Sequence, residues 1–348
     1  MKRASILLGL TISVILILSI TMLSCQSSTA AKTGSANSSA AKTGSANFVT
    51  AKANNSCINC HDSRGLIVSR NVQRSTSLHG SGFTFEGSAA ECAICHTSEG
   101  FTERIASDTF EISEDIKNAS PINCRTCHQI HKTYTSSDWA LTIDTPVVLK
   151  LTGDIFDWGK GNLCANCHQA RPSDVPQAGG GNYEITSTSF GPHHGPQAEM
   201  TAGVGGYGSK YTGSNVHYQA IADGCVTCHM TDDTYGKQAG GHTMSMSFKN
   251  NERPVNYVAG CIECHKDIDT FDRNGLQTEV KSLLEELRIL LVAQGLIDES
   301  GSGIVGTFSS EHAGALWNYK TVMEDKSFGV HNPGFARFLL QTSIDALK

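Results

Sequence analysis

A mainly α fold with much irregular loop, few short strands and a C-terminal helical hairpin is the architecture this 348-residue chain predicts. Three observations carry that expectation. The pentapeptide Cys-x-x-Cys-His occurs six times between residues 57 and 265. The stretches between the copies are rich in Gly, Ser, Asn and Thr and hold few long periodic runs. Helical periodicity is clear only near the C-terminus, where Val280, Leu283, Leu284, Leu287, Leu290 and Leu291 recur at helical spacing.

At the N-terminus, Met1-Lys2-Arg3 precedes an apolar run from Ile6 to Leu23, which reads as a secretory signal over residues 1–24. The run is long for a signal and nearly long enough to span a bilayer. Its end, Met22-Leu23-Ser24-Cys25, resembles a bacterial lipobox, in which Cys25 would become the lipidated first residue. A lipid there also accounts for the one cysteine outside the pentapeptides, since a lone thiol is a liability in an oxidising compartment. Gln26 is compatible with sorting to the outer membrane, and an uncleaved membrane anchor is the alternative. Residues 25–56 then form a Ser/Ala/Gly-rich tether, in which an eight-residue unit occurs twice, Ala30 to Asn37 and Ala40 to Asn47. That composition cannot bury a core. Its r.m.s. span is roughly 30 Å, and fully extended it reaches about 100 Å.

Residues 57–270 carry the repeated motif: Cys57-x-x-Cys60-His61, Cys92-x-x-Cys95-His96, Cys124-x-x-Cys127-His128, Cys164-x-x-Cys167-His168, Cys225-x-x-Cys228-His229 and Cys261-x-x-Cys264-His265. A single Cys-x-x-Cys is often a redox pair or half a zinc site. Neither zinc nor a disulfide framework requires His after every second Cys, however, and twelve of the thirteen cysteines lie in this pattern. It is the covalent attachment signal for c-type haem, so six haems and their irons are expected. The thiols add to the porphyrin vinyl groups and the adjacent His binds the iron. Motif starts are separated by 35, 32, 40, 61 and 36 residues, and the longest gap holds the glycine-rich stretch from Gly179 to Gly213. Each motif should open on a loop and sit in a short helical turn. With so little chain per cofactor, the porphyrins would supply much of the buried apolar surface, and the chain is not expected to fold without them.

Residues 271–348 complete the chain as helices expected to pack on the haem body. The first runs from about Leu276 to Ala293 and ends near Gly295. The second covers Ser310 to Glu324, and the third follows Pro333 to Leu347. Their leucines are packing residues that cover the cofactors or pair as a hairpin.

The second axial position of each iron decides the chemistry. His on both sides gives a saturated iron that exchanges electrons, Met opposite His raises the potential, and an open side allows catalysis. Of fourteen His, six follow the Cys pairs and eight remain: His79, His131, His193, His194, His217, His242, His312 and His331. That is enough for six bis-His irons. His131 stands three residues after His128, so one short segment could serve two haems. His79 and His217 precede motifs two and five, and His242 lies in Gly-Gly-His-Thr-Met. His193 and His194 are adjacent, so only one should bind a given iron. His312 is left out, because a polar helix start explains it. Met230, Met244 and Met246 lie near the motifs as alternative ligands.

Formal net charge is −6, and loss of Lys2 and Arg3 with the signal makes it two units more negative. No basic stripe is present, which argues against nucleic acid as a partner.

The chain resembles the bacterial multihaem cytochromes c. The motifs that carry the resemblance are Ser77-Leu78-His79-Gly80 with Cys92 to Phe101, Gly191-Pro192-His193-His194-Gly195-Pro196-Gln197, and Gly224 to Met230. Trp317-Asn318-Tyr319 and the stretch from Asp325 to Pro333 are similar to the C-terminal region of the ammonia-forming cytochrome c nitrite reductases. The resemblance implies a multihaem cytochrome c fold built around stacked haems, with His331 as a distal ligand and His193 favoured over His194. The reductases hold their catalytic haem through Cys-x-x-Cys-Lys, and here every motif ends in His, so nitrite reduction does not carry over. What it implies instead is an exported, lipid-anchored hexahaem electron carrier on the periplasmic side or outer surface of the outer membrane. It would serve anaerobic or extracellular respiration, with redox proteins at the membrane and extracellular acceptors as partners. The alternative is a reductase of nitrite, hydroxylamine or another small oxidant at one open haem.

Overall fold

In a computed structural model the described residues are 61, 64–82, 85–107, 109–171, 174–208, 210–231 and 238–348. The chain divides into Met1–Ala51 and Lys52–Lys348, and the described residues belong to the second unit. The signal peptide, Cys25, the tether, Cys57 and Cys60 lie outside them.

Short helices dominate the first two-thirds: α1 (Arg64–Thr76), α2 (Leu78–Ser81), α3 (Ala90–His96), α4 (Ser98–Ser107), α5 (Cys124–Cys127), α6 (Gly161–Ala165), α7 (Gln197–Ala202), α8 (Val216–Ala220) and α9 (Cys225–His229). Local capping starts several of them. Ser77 accepts from the Gly80 N–H at the head of α2, and Asn123 with Thr126 closes a capping box on α5. The strands β1 (Val147–Val148), β2 (Ile155–Phe156), β3 (Asn182–Ile185), β4 (Ser247–Asn250), β5 (Arg253–Asn256) and β6 (Gly306–Ser309) are two to four residues long. They form three separate antiparallel pairs, β1 with β2, β4 with β5, and β3 with β6. Two-stranded pairs of this length are not stable alone and depend on what they pack against.

The three long helices fall where the periodicity puts them: α10 (Leu276–Ala293), α11 (Ser310–Asp325) and α12 (Pro333–Leu347). Ser309 caps α11 by accepting from the His312 N–H, which gives His312 the helix-start setting the sequence predicted. Asn332 caps α12 by accepting from Phe335 N, and Pro333 fills the first turn, where its missing N–H costs nothing.

A conventional side-chain core is present, where the sequence predicted that cofactors would replace one. Val280, Leu284, Leu287 and Leu291 of α10 meet Leu316 and Val322 of α11 and Phe335, Leu339, Leu340 and Ile344 of α12. Burial of each large side chain contributes about 1.5–3 kcal/mol. Ile185 of β3 and Met200 of α7 join the same cluster, so the glycine-rich stretch is pinned to the C-terminal helices. The β3–β6 ladder, Asn182 opposite Ser309 through Ile185 opposite Gly306, fixes that attachment. A second, smaller cluster gathers Val147, Leu149, Phe156, Trp158, Ala165 and Ala198. Between residues 61 and 146, by contrast, only Ala93, Ile94 and Phe101 are buried apolar side chains among the described residues. Among the described residues no helix is long and apolar enough to cross a membrane.

Candidate cofactor-binding site

Among the described residues, motifs two to six each use one tight turn to bring two Cys and one His together. Cys at i and i+3 share a face of a helical turn, and the next residue follows at its end. α3 ends on His96, α9 ends on His229, and His128 is the residue that closes α5. The His N–H bonds back to the carbonyl of the first Cys at 2.9 Å for His128 to Cys124, 2.8 Å for His168 to Cys164 and 2.8 Å for His265 to Cys261. The last motif therefore has the same turn although no regular helix covers it. Gly224, before Cys225, has φ 53°, and a Cβ there would lie 2.6 Å from the Trp158 ring, so only glycine lets the chain enter this turn.

Every motif histidine faces one histidine from elsewhere in the chain. Ring centroids are 6.2 Å apart for His61 and His131, 6.2 Å for His96 and His193, and 6.3 Å for His128 and His242. They are 5.9 Å apart for His168 and His79, 6.3 Å for His229 and His331, and 6.2 Å for His265 and His217. An imidazole nitrogen sits about 1.1 Å from its ring centre and binds a metal at about 2.0 Å, so two rings on opposite sides of one metal have centres about 6.2 Å apart. The spacing fits a metal held between the rings. The facing rings belong to His131, His193, His242, His79, His331 and His217. His193 is the one that faces His96, while the neighbouring His194 turns its Nδ1 to Glu324 at 2.9 Å and is largely exposed.

All twelve paired histidines line one connected cavity of about 2990 Å³, and His312 does not. That is about three times the upper end of ordinary ligand pockets, roughly 300–1,000 Å³, and suits several large cofactors rather than one small molecule. Among the described residues no group of three or more His, Cys, Asp or Glu is placed to hold a metal ion. Nε2 of His193 and Nδ1 of His242 are buried without a hydrogen-bond partner, as a nitrogen meant for a metal would be. Covalent haem c fits this donor set.

Hydrogen bonds on the far nitrogen set the tautomer. A carbonyl can only accept, so Nδ1 carries the proton in His128 facing Trp139 O at 2.7 Å, His229 facing Met244 O at 3.0 Å and His217 facing Val330 O at 3.2 Å. Their Nε2 lone pairs are left for a metal. Gln197 Oε1 plays the same part for His168 at 3.1 Å, and Met244 Sδ lies 2.9 Å from His79 Nδ1. Met244 thus supports two histidine rings through its carbonyl and its sulfur. Burial lowers the pKa of His79, His193 and His242 to about 4 each and also lowers those of His96, His168, His217 and His229, which favours the neutral, ligating imidazole. His331 is the exception: burial again works downward, but the Asp325 carboxylate outweighs it and raises the pKa.

Residues that sequence reading did not single out hold the distal rings in place. Asp138 accepts from the backbone N–H of His131 at 2.7 Å, Thr133 at 2.7 Å and Tyr134 at 3.1 Å, and so closes the loop that carries His131 at φ 63°. Asn215 accepts from His217 N at 3.1 Å and donates to His331 O at 2.8 Å, linking two distal positions. Gln73 of α1 accepts from His242 N at 3.1 Å. Asn, Asp and Gln near a histidine carry no spacing rule, so nothing in the linear chain marked them.

Neighbouring motifs touch. Cys167 lies beside Cys95, and Cys225 lies beside Cys164, so motif four adjoins motifs two and five. Burial pushes the Cys127 and Cys228 thiols up to about 11, the opposite of what a reactive dithiol requires.

No protein-family model and no curated protein matches the chain. Solved structures do. The crystal structure of the outer cell wall cytochrome OcwA superposes with a TM-score of 0.51 at 21% identity, over 79% of this chain and 50% of that one. An undecahaem cytochrome from the S-layer of Carboxydothermus ferrireducens matches with a TM-score of 0.44 at 19% identity, over 81% of this chain and 40% of that one. This chain therefore spans half the length, or less, of the two cytochromes it is similar to. The likeness to OcwA shows that the helix-rich, loop-rich body with few short strands shares the fold of part of that cytochrome.

Proposed function

We propose that this chain is a hexahaem c-type cytochrome that carries electrons and has no substrate site at any iron. The observation that carries the reading is the one-to-one pairing of all six motif histidines, with ring centres 5.9–6.3 Å apart. Haem c supplies one-electron exchange when bound. The chain supplies the rest. The pairs Cys57/Cys60, Cys92/Cys95, Cys124/Cys127, Cys164/Cys167, Cys225/Cys228 and Cys261/Cys264 would anchor the haems, and the paired imidazoles would hold their irons. The proximity of Cys95 to Cys167 and of Cys164 to Cys225 would bring the haems of motifs two, four and five close together, as short-range electron exchange requires.

Export is supported by the apolar run from Ile6 to Leu23, and a lipid on Cys25 would tether the body through residues 25–56. The two similar cytochromes are described as belonging to an outer cell wall and an S-layer, in keeping with a role outside the cytoplasm. Redox proteins at the membrane and extracellular acceptors are the proposed partners.

Mass spectrometry of the mature protein tests the cofactor count: six porphyrin additions are expected, and fewer would overturn the hexahaem reading. Carbon monoxide added to the reduced protein tests the saturated axial faces. No fast spectral change is expected, and rapid binding at one iron would replace the carrier with a reductase.

A further inference from the structure

Among the described residues, the paired histidines whose Nδ1 partner is known face neutral acceptors, with one exception. Trp139 O, Met244 O, Val330 O, Gln197 Oε1 and Met244 Sδ serve the others. His331 Nδ1 instead lies 2.6 Å from Asp325 Oδ1, and the Asp325 side chain is fully buried. The arrangement is built rather than incidental. Ser327 donates to Asp325 Oδ2 through both Oγ and N, and Ser327 Oγ accepts from the His331 N–H at 3.1 Å. Lys326, Phe328 and Gly329 take positive φ values of 61°, 50° and 95°, which bends residues 325–331 into the tight loop that brings carboxylate and ring together. Asn332 and Pro333 then start α12 immediately after the ring.

We infer that Asp325 is a positioning and tuning residue that lowers the reduction potential of an iron held between His229 and His331. The inference rests on the bis-His haem reading above. A buried carboxylate hydrogen-bonded to Nδ1–H pulls the proton toward itself and makes Nε2 a stronger donor. It also places an unscreened negative charge on the axis of the site. Both effects stabilise the more positive, ferric state of an iron bound there, and so lower its reduction potential. A carbonyl or amide oxygen has no net charge and exerts the first effect weakly and the second hardly at all.

The test is a spectroelectrochemical titration of the full haem-loaded protein, with low-spin EPR to follow individual irons. Asp325→Asn keeps an oxygen facing His331 and removes the charge. One of six potentials should rise, with a change of about tenfold in that iron's reduction equilibrium, or about 59 mV for one electron. The other five should stay within a small fraction of that shift. Asp325→Glu keeps the charge and should leave that potential near the wild-type value. Unchanged potentials in Asp325→Asn, or equal shifts in both variants, would overturn the inference and leave Asp325 a purely structural residue. If Asp325→Asn does not mature, Ser327→Ala decides: it removes the Oγ donor that competes for the carboxylate and leaves the backbone N–H, so the same potential should fall, and no fall would overturn the inference. A wild-type protein without six low-spin haems would instead sink the reading on which this one rests.

Discussion

His193 and His194 are chemically identical neighbours in opposite settings. The His193 ring faces His96 and its Nε2 is buried without a hydrogen-bond partner, while His194 forms an exposed ion pair with Glu324. The difference comes from the backbone: His193 has φ 66°, and this left-handed step sends successive side chains in different directions. On the proposed function, His193→Ala should open one iron in six, giving a high-spin component and rapid carbon monoxide binding. His194→Ala should leave the spectrum unchanged, because an exposed histidine–carboxylate pair contributes little. Optical titration of the two variants checks both outcomes. Asp138, Asn215 and Asp325 show what residue-level sequence reading misses. Each acts on a histidine through contacts that only the folded loop creates.

The elements of the chain divide by what holds them. α10, α11 and α12 bury complete apolar stripes against one another, and their bounds agree with the leucine periodicity and the Ser309 and Asn332 caps to within a residue. Leu287 is fully buried at the centre of that cluster. Leu287→Ala should cost about 2–5 kcal/mol through lost transfer energy and the cavity left behind. Differential scanning calorimetry of the haem-loaded protein measures it, and a shift equal to that of an exposed Ile289→Ala control would contradict the packing. The short strands were legible only as a class. Their partners, such as β3 with β6, lie far apart in sequence, and no local pattern encodes a pairing over that distance.

Across the whole molecule, apolar burial is uneven. The C-terminal cluster gathers nineteen buried residues, while Ala93, Ile94 and Phe101 alone represent the described residues before Val147. The first part of the body must therefore rely on its cofactors for buried surface, and the last part need not. Without haem, the chain should keep the far-ultraviolet helical signal of α10 to α12 and lose the segment from 61 to 146 to limited proteolysis first. A haem-free chain whose early segment resists protease would show that side chains alone hold it together. The expectation of collapse throughout the haem-free chain is narrowed by the C-terminal core, because aliphatic burial there needs no porphyrin.

The linear chain by itself determined the six Cys-x-x-Cys-His motifs, the number of histidines available to face them and the three C-terminal helices, because short motifs and helical periodicity are local and short in range. Only the tertiary structure decided which histidine meets which, that motif four lies against motifs two and five, and that the His331 ring faces the buried carboxylate of Asp325. Those facts depend on loops closing over dozens of residues, and the energy that closes them comes from packing that no single segment contains.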